Sequence, residues 1–92
     1  NSYLVLEPNH TFKLAGYADA KKVMLSGDFN GFSPDHTFMK KKDAGWEFSL
    51  HLTRGKHLYK FVVDGKWTLD PTNPLWEQNN YGTGDSVIWV EK

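Results

Sequence analysis

Cysteine is absent from this 92-residue sequence, which excludes disulfides, thiolate nucleophiles and cysteine zinc sites and leaves the redox compartment undecided. Long apolar runs are also absent. None approaches the roughly 18 residues that a membrane-spanning helix needs, so we expect no membrane partner. No excess of either charge is present, because 11 basic and 11 acidic residues give a net charge of zero. Nucleic-acid-binding surfaces usually need a basic excess, so we expect no nucleic-acid partner.

The short length restricts the fold to one domain. A chain of this size buries only about two-thirds of the surface that its unfolded form exposes. That is enough for a small core but not for a core together with a deep catalytic cleft. We assign residues 1–10 to a lead-in segment and residues 11–92 to a single domain. The sequence begins with asparagine rather than methionine, which predicts a domain excised from a longer protein or a mature fragment.

No segment shows a helical period of 3.6 residues. Short alternating runs separated by turn residues predict an all-β chain instead. The predicted strands cover residues 11–14, 22–26, 37–41, 45–52, 57–63, 66–70 and 86–90, and residues 71–85 are predicted to form a long irregular loop. About seven short strands at this spacing predict an antiparallel, immunoglobulin-like β-sandwich.

One hairpin determines which side chains share a face. The two-residue turn Asp64-Gly65 predicts a type I′ hairpin in which Val62 pairs with Trp67. Because side chains alternate along a strand, Lys60 and Trp67 are expected together on the outer face. The opposite face is predicted to enter the core with Tyr59, Phe61 and Val63, and Trp46 and Phe48 of an earlier strand are assigned to the same core.

A tryptophan beside a lysine suits a sugar ring. The apolar C–H face of a pyranose stacks on an aromatic ring, and its hydroxyl groups accept hydrogen bonds from an ammonium group. The competing interpretation of Trp67 is ordinary cross-strand packing. An aromatic content of 15% predicts some surface rings, because a small core cannot easily enclose so many, and surface rings suggest a flat apolar ligand face or a protein partner. Trp76 and Trp89 are left without an assigned role.

Three segments carry a family resemblance, namely VMLSGDFNGFS (23–33), LYKFVVDGKWTLDPTNP (58–74) and YGTGDSVIWV (81–90). Together they resemble the glycogen-binding module of the AMP-activated protein kinase β subunit and the wider carbohydrate-binding module family 48. The resemblance covers about residues 12–92. It implies an early-set immunoglobulin-like sandwich, an α-1,4-glucan ligand and no cofactor. It favours a cytoplasmic location, although an extracytoplasmic one stays open.

The resemblance also implies a set of site residues. Trp67 matches one stacking tryptophan of the family and Lys60 its sugar-binding lysine, while Phe32 stands where the family has a second tryptophan. Phenylalanine offers a smaller flat face without an N–H donor. The remaining positions lie in one loop: Tyr81 stands near the family's leucine, Thr83 at its threonine, and Ser86 or Asp85 at its hydroxyl-binding asparagine.

Catalytic and metal-binding interpretations are weaker. His51 and His57 are predicted on opposite faces of adjacent strands, so they do not form a metal-binding pair. Asp64 and Asp70 are better explained as turn residues than as the acid and base of a glycosidase. We therefore expect a non-catalytic protein without a metal site.

Three functions are compatible with these observations. The first is binding of glycogen-like or starch-like α-glucan, which would target an attached protein to the polysaccharide. The second is a docking domain of the same fold with little sugar affinity, whose partner would be a kinase-complex subunit or an enzyme core at an apolar patch around Trp89. The third is the N-terminal accessory domain of an α-glucan branching or debranching enzyme.

Overall fold

The computed structural model describes residues 7–91, which form nine β-strands and one turn of 3₁₀ helix, Asp28–Asn30. The strands are β1 (His10–Ala15), β2 (Val23–Gly27), β3 (Thr37–Phe38), β4 (Lys40–Lys42), β5 (Gly45–Leu50), β6 (Gly55–Val63), β7 (Lys66–Thr68), β8 (Trp76–Gln78) and β9 (Gly84–Val90). Residues 1–6 of the predicted lead-in segment and Lys92 lie outside the described residues. Within the described range, no helix is long and apolar enough to cross a membrane.

The strands form two antiparallel sheets that pack as a sandwich. The smaller sheet has the order β1-β5-β4, and the larger has the order β3-β2-β6-β9-β8, with β7 also paired to β6. The predicted all-β antiparallel sandwich is therefore confirmed. Strand β6 is nine residues long and central, because it pairs with β2, β7 and β9.

The core lies between the sheets and is rich in aromatic rings. Tyr59 and Phe61 are fully enclosed, Trp46 is 8% exposed, and Phe48 packs partly buried against them. The ring centroids of Phe12 and Tyr59 lie 4.7 Å apart, a distance typical of favourable aromatic pairs. The predicted core face of β6 is therefore confirmed.

One predicted strand is divided between the sheets. Residues 37–41 were expected to form a single strand, but β3 pairs with β2 and β4 pairs with β5. Between them, Met39 is 5% exposed, and its backbone N–H donates to Val23 O at 2.9 Å. The chain changes sheets at Met39, which brings this side chain into the core.

The predicted loop 71–85 is not wholly irregular. Strand β8 lies within it and pairs with β9, which begins at Gly84 rather than at residue 86. A Cβ atom at Gly84 would lie 2.7 Å from Trp76 Cε3, so only glycine lets this indole lie directly on the strand. The pairing depends on a tertiary contact that alternation along the sequence does not report.

Candidate functional site

The β6–β7 hairpin orients the tryptophan of the predicted site. Asp64 and Gly65 have φ angles of 47° and 87°, as a type I′ turn requires. The Asp64 carboxylate accepts hydrogen bonds from the N–H groups of Lys21 and Lys22, which fixes the turn against the chain before β2. The predicted pairing of Val62 with Trp67 is present.

A row of side chains crosses the outer face of the larger sheet next to this tryptophan. The strand pairings place Phe38 opposite Met24, Met24 opposite Val62, and Val62 opposite Trp67. Met24 and Val62 are 0% and 3% exposed, although neither belongs to the core between the sheets. Trp67 is 47% exposed, so it covers this row and still offers a free ring face.

Lys60 is held in place rather than free in solvent. Its Nζ atom lies 5.9 Å from the centroid of the Trp67 ring. It donates to Thr83 Oγ1 at 3.2 Å and lies 3.8 Å from Asp85 Oδ1. Lys60 and Asp85 are 7% and 6% exposed. Opposite charges compensate each other in this buried position, and the ammonium group is fixed beside the indole.

Phe32 lies in a loop that the hydrogen bonds of Asn30 hold against the sheet. The Asn30 side chain donates to Leu25 O and Thr37 Oγ1 and accepts from the N–H of Gly27. Phe32 has a φ of 55°, which is uncommon for an aromatic residue. Such a conformation costs on the order of 1–3 kcal/mol and is concentrated at functional sites.

Asp28 anchors the start of this loop to β6. Its carboxylate contacts His57 Nδ1 at 2.9 Å and accepts from the N–H of Leu58 at 3.0 Å, while His57 Nε2 lies 2.8 Å from Thr53 O. Burial lowers the pKa of His57. The hydrogen bonds to Asp28 and Thr53 and the charge of Asp28 outweigh burial and leave the pKa above its usual value. The prediction that His51 and His57 lie on adjacent strands is wrong, because His51 follows the end of β5, and β5 and β6 belong to different sheets.

Asn79 organises the loop on the other side of the tryptophan. Its Nδ2 donates to Thr83 Oγ1 at 2.8 Å and to Asp85 Oδ1 at 3.2 Å, and its Oδ1 accepts from the N–H groups of Tyr81 and Thr83. Tyr81 is 90% exposed. Asn79 is not among the site residues expected from sequence, although an asparagine shortly before a glycine is a typical turn-forming pattern.

These elements enclose a hollow of about 670 Å³ on the outer face. Its lining consists of Gly31, Phe32, Lys60, Trp67, Asn79, Tyr81, Thr83 and Asp85. Six of the seven site residues expected from sequence therefore lie around one hollow. Ser86 lies elsewhere: it is 0% exposed, pairs with Tyr59 on the core side of the sheet, and its Oγ accepts from the N–H of Asp70.

The carboxylates near the hollow have structural partners. Asp64 accepts bonds from two backbone N–H groups. Asp70 accepts from Thr72 and from the Tyr59 hydroxyl, whose pKa is raised, first by burial and then by the bond to Asp70. Asp85 lies beside Lys60. In residues 7–91, no group of three or more histidine or carboxylate side chains could hold a metal ion.

The family profile described as "Glycogen recognition site of AMP-activated protein kinase" matches residues 10–92. The chain belongs to this glycogen-recognition family. It is a family of non-catalytic carbohydrate-binding modules, so the predicted family and the predicted non-catalytic glucan-binding function are confirmed. The domain boundary at residue 11 and the individual site residues stay predictions.

Two relatives illustrate where this glycogen-recognition module occurs. The 5'-AMP-activated protein kinase subunit beta-1 of Homo sapiens is 39% identical over 72 residues, which cover 78% of this chain and 26% of that protein. Protein PTST homolog 2, chloroplastic, of Arabidopsis thaliana is 37% identical over 69 residues, which cover 75% of this chain and 13% of that protein. The chain thus spans only a small part of either relative.

A solved structure shares the fold. The crystal structure of maltogenic amylase from S. marinus superposes with a TM-score of 0.77 at 22% identity. The match covers 89% of this chain and 13% of that chain. At this identity the likeness supports the immunoglobulin-like sandwich and nothing further.

Proposed function

We propose that this module binds α-1,4-glucan in the hollow between Phe32, Trp67 and the 79–83 loop. The observation that carries the proposal is the pairing of Trp67 with Lys60. The indole is half exposed, and the ammonium group is fixed 5.9 Å from its centroid. A pyranose on this indole places its apolar face on the ring and its hydroxyl groups within reach of the ammonium group.

The polar groups around the hollow fit a neutral, hydroxyl-rich ligand. Lys60 supplies N–H donors, while Asn79 and Thr83 supply both donors and acceptors at the rim. Their mutual hydrogen bonds hold them in place before a ligand arrives, which reduces the entropy lost on binding. Each net hydrogen bond contributes about 1 kcal/mol, so useful affinity requires several glucose units together with aromatic stacking.

Binding in this hollow would bring an attached protein to the polysaccharide. The β subunit of a protein kinase and the PTST homologue are examples of longer chains that contain such a module. The alternative docking function required a broad apolar patch around Trp89. On that face Trp89 lies opposite Lys56, which pairs with Glu77, so charged groups border the apolar surface that Trp89 shares with Val87 and Leu58.

Calorimetric titration with maltoheptaose tests this proposal. Trp67→Leu keeps an apolar cover over Val62 but removes the flat ring, so we expect the affinity to fall about tenfold. The matched control is Tyr17→Leu. Tyr17 is an aromatic residue that is 43% exposed, and it does not line the hollow. The control should keep the wild-type affinity within about twofold.

Two results would overturn the proposed function. One is the absence of saturable binding by the wild type, and the other is unchanged affinity in Trp67→Leu. Urea unfolding of each variant shows whether a lost affinity reflects a lost site or a lost fold, because truncating a large side chain destabilises a small domain. A Trp67→Leu variant that stays folded and loses affinity supports the proposal.

A further inference from the structure

The outer face that carries the hollow continues along β6 and β9. Lys56 lies directly opposite Trp89, and Glu77 lies directly opposite Asp85. Because every second residue of a strand points to the same face, Trp89, Lys56 and Glu77 share the face of Lys60 and Asp85. Trp89 is therefore aligned with the site in the hollow, four residues from Asp85 along one strand.

Trp89 contributes little to the packing of the sandwich. It is 63% exposed. Its neighbours along the strand, Ile88 and Val90, point to the other face of the sheet and pack against the core. A single exposed apolar side chain is common and has no meaning alone. The surroundings of Trp89 are what distinguish it.

An ion pair lies next to this indole. Lys56 Nζ lies 2.7 Å from Glu77 Oε2, and the two side chains are 39% and 42% exposed. The pair presents N–H donors and carboxylate acceptors at one position, with no net charge. Charged groups are depleted from the centres of protein–protein interfaces, so this setting is poorly suited to an apolar partner. A neutral polyhydroxylated ring uses both the flat indole and the paired polar groups.

We propose that Trp89 and the Lys56–Glu77 pair form a second glucan-binding subsite that extends the site in the hollow. This inference rests on the proposed function, because it assigns both subsites to the same glucan chain. Four residues of strand separate Trp89 from Asp85 by about 13 Å. A long oligosaccharide reaches both subsites, while a short one occupies the hollow alone.

The length of the ligand therefore separates the two subsites in an experiment. We expect Trp89→Leu to weaken the binding of maltoheptaose about threefold to tenfold, and to leave the binding of maltotriose within about twofold. In NMR titrations of the wild type, maltoheptaose should shift the amide signals of Lys56 and Trp89, and maltotriose should not. Tyr17→Leu is the matched control, since Tyr17 is an exposed aromatic residue that belongs to neither subsite, and it should leave both affinities unchanged.

Failure of this inference is distinguishable from failure of the proposed function. If the wild type binds neither sugar, both proposals are overturned. If Trp67→Leu loses affinity while Trp89→Leu binds maltoheptaose like the wild type, only the second subsite is overturned. If Trp89→Leu weakens both sugars equally, Trp89 acts on the hollow itself, and the extended site is also overturned. Urea unfolding checks that Trp89→Leu retains wild-type stability.

Discussion

At the scale of single residues, the ring of Phe32 limits the stacking surface that the hollow offers to a sugar. Its backbone is held at a φ of 55°, so the ring is presented at the cost of strain. Tryptophan would offer a larger flat face and an N–H donor at the same position. We expect Phe32→Trp to strengthen maltoheptaose binding about twofold to fivefold, as measured by calorimetry.

Tyr17 provides a matched control for this substitution. It is also an exposed aromatic residue with a positive φ, 56°, but it does not line the hollow. Tyr17→Trp should leave the affinity unchanged. Two results would show that the ring at position 32 does not contact the glucan. One is an unchanged affinity in Phe32→Trp, and the other is an equal gain in affinity in Phe32→Trp and Tyr17→Trp.

Single residues also show what the sequence could predict about the site. Trp67 and Lys60 could be placed together because a two-residue turn determines the register of its hairpin. The burial of Lys60 could not be predicted, because Thr83 and Asp85 reach it from more than twenty residues along the chain. Asn79 was missed for a different reason: its partners Tyr81, Thr83 and Asp85 are local in sequence, but only the folded loop places them at the hollow.

At the scale of the elements, the short strands were the least predictable. Strands β5 and β6 alternate over six or more residues and could be recognised from their pattern. Strand β8 has three residues, and its edge position depends on the contact between Trp76 and Gly84. The division of residues 37–41 into β3 and β4 depends on Met39 entering the core, and alternation alone does not reveal a change of sheet.

The contact between the 3₁₀ turn and β6 predicts a dependence of stability on pH. The pKa of His57 is raised in the folded protein, so its stabilising contribution is complete below about pH 6.5 and is lost as the pH rises through the folded value. Burial, followed by repulsion from His57, lowers the pKa of His10, so its contribution is lost as the pH falls below about 6.5. Together, His57 and His10 should therefore give a maximum in the free energy of unfolding near pH 6.5, as measured by urea unfolding.

Two variants separate the histidine contributions. His57→Gln keeps a hydrogen-bonding side chain but does not titrate, so the loss of stability between pH 6.5 and 8 should become smaller. His10→Gln should instead reduce the loss of stability below pH 6.5. A loss above pH 6.5 that is as large in His57→Gln as in the wild type would show that the Asp28–His57 contact does not cause it.

At the scale of the whole molecule, many aromatic residues lie either in the interior or on the binding face, while Trp76 and Tyr17 are exposed elsewhere. Phe12, Tyr59 and Phe61 fill the space between the sheets, and this could be predicted because their strands alternate. Trp67 and Trp89 lie on the outer face of the larger sheet. Their common face also follows from alternation, but only once the pairing of β6 with both β7 and β9 is known. The fold class could thus be predicted from sequence, whereas the extent of the binding face required the order of the strands.

The charge balance of the whole molecule leads to the last prediction. The net charge is zero, and the charged groups on the binding face occur as the pairs Lys60–Asp85 and Lys56–Glu77. A neutral glucan displaces no counterions and gains nothing from long-range attraction. We therefore expect the Kd for maltoheptaose to change less than about twofold between roughly 0.05 and 0.5 M NaCl. Binding that depends on neutralised phosphates instead weakens by orders of magnitude as salt rises. A steep loss of affinity with salt, at unchanged stability in urea, would mean that the module recognises a charged group and not the sugar rings.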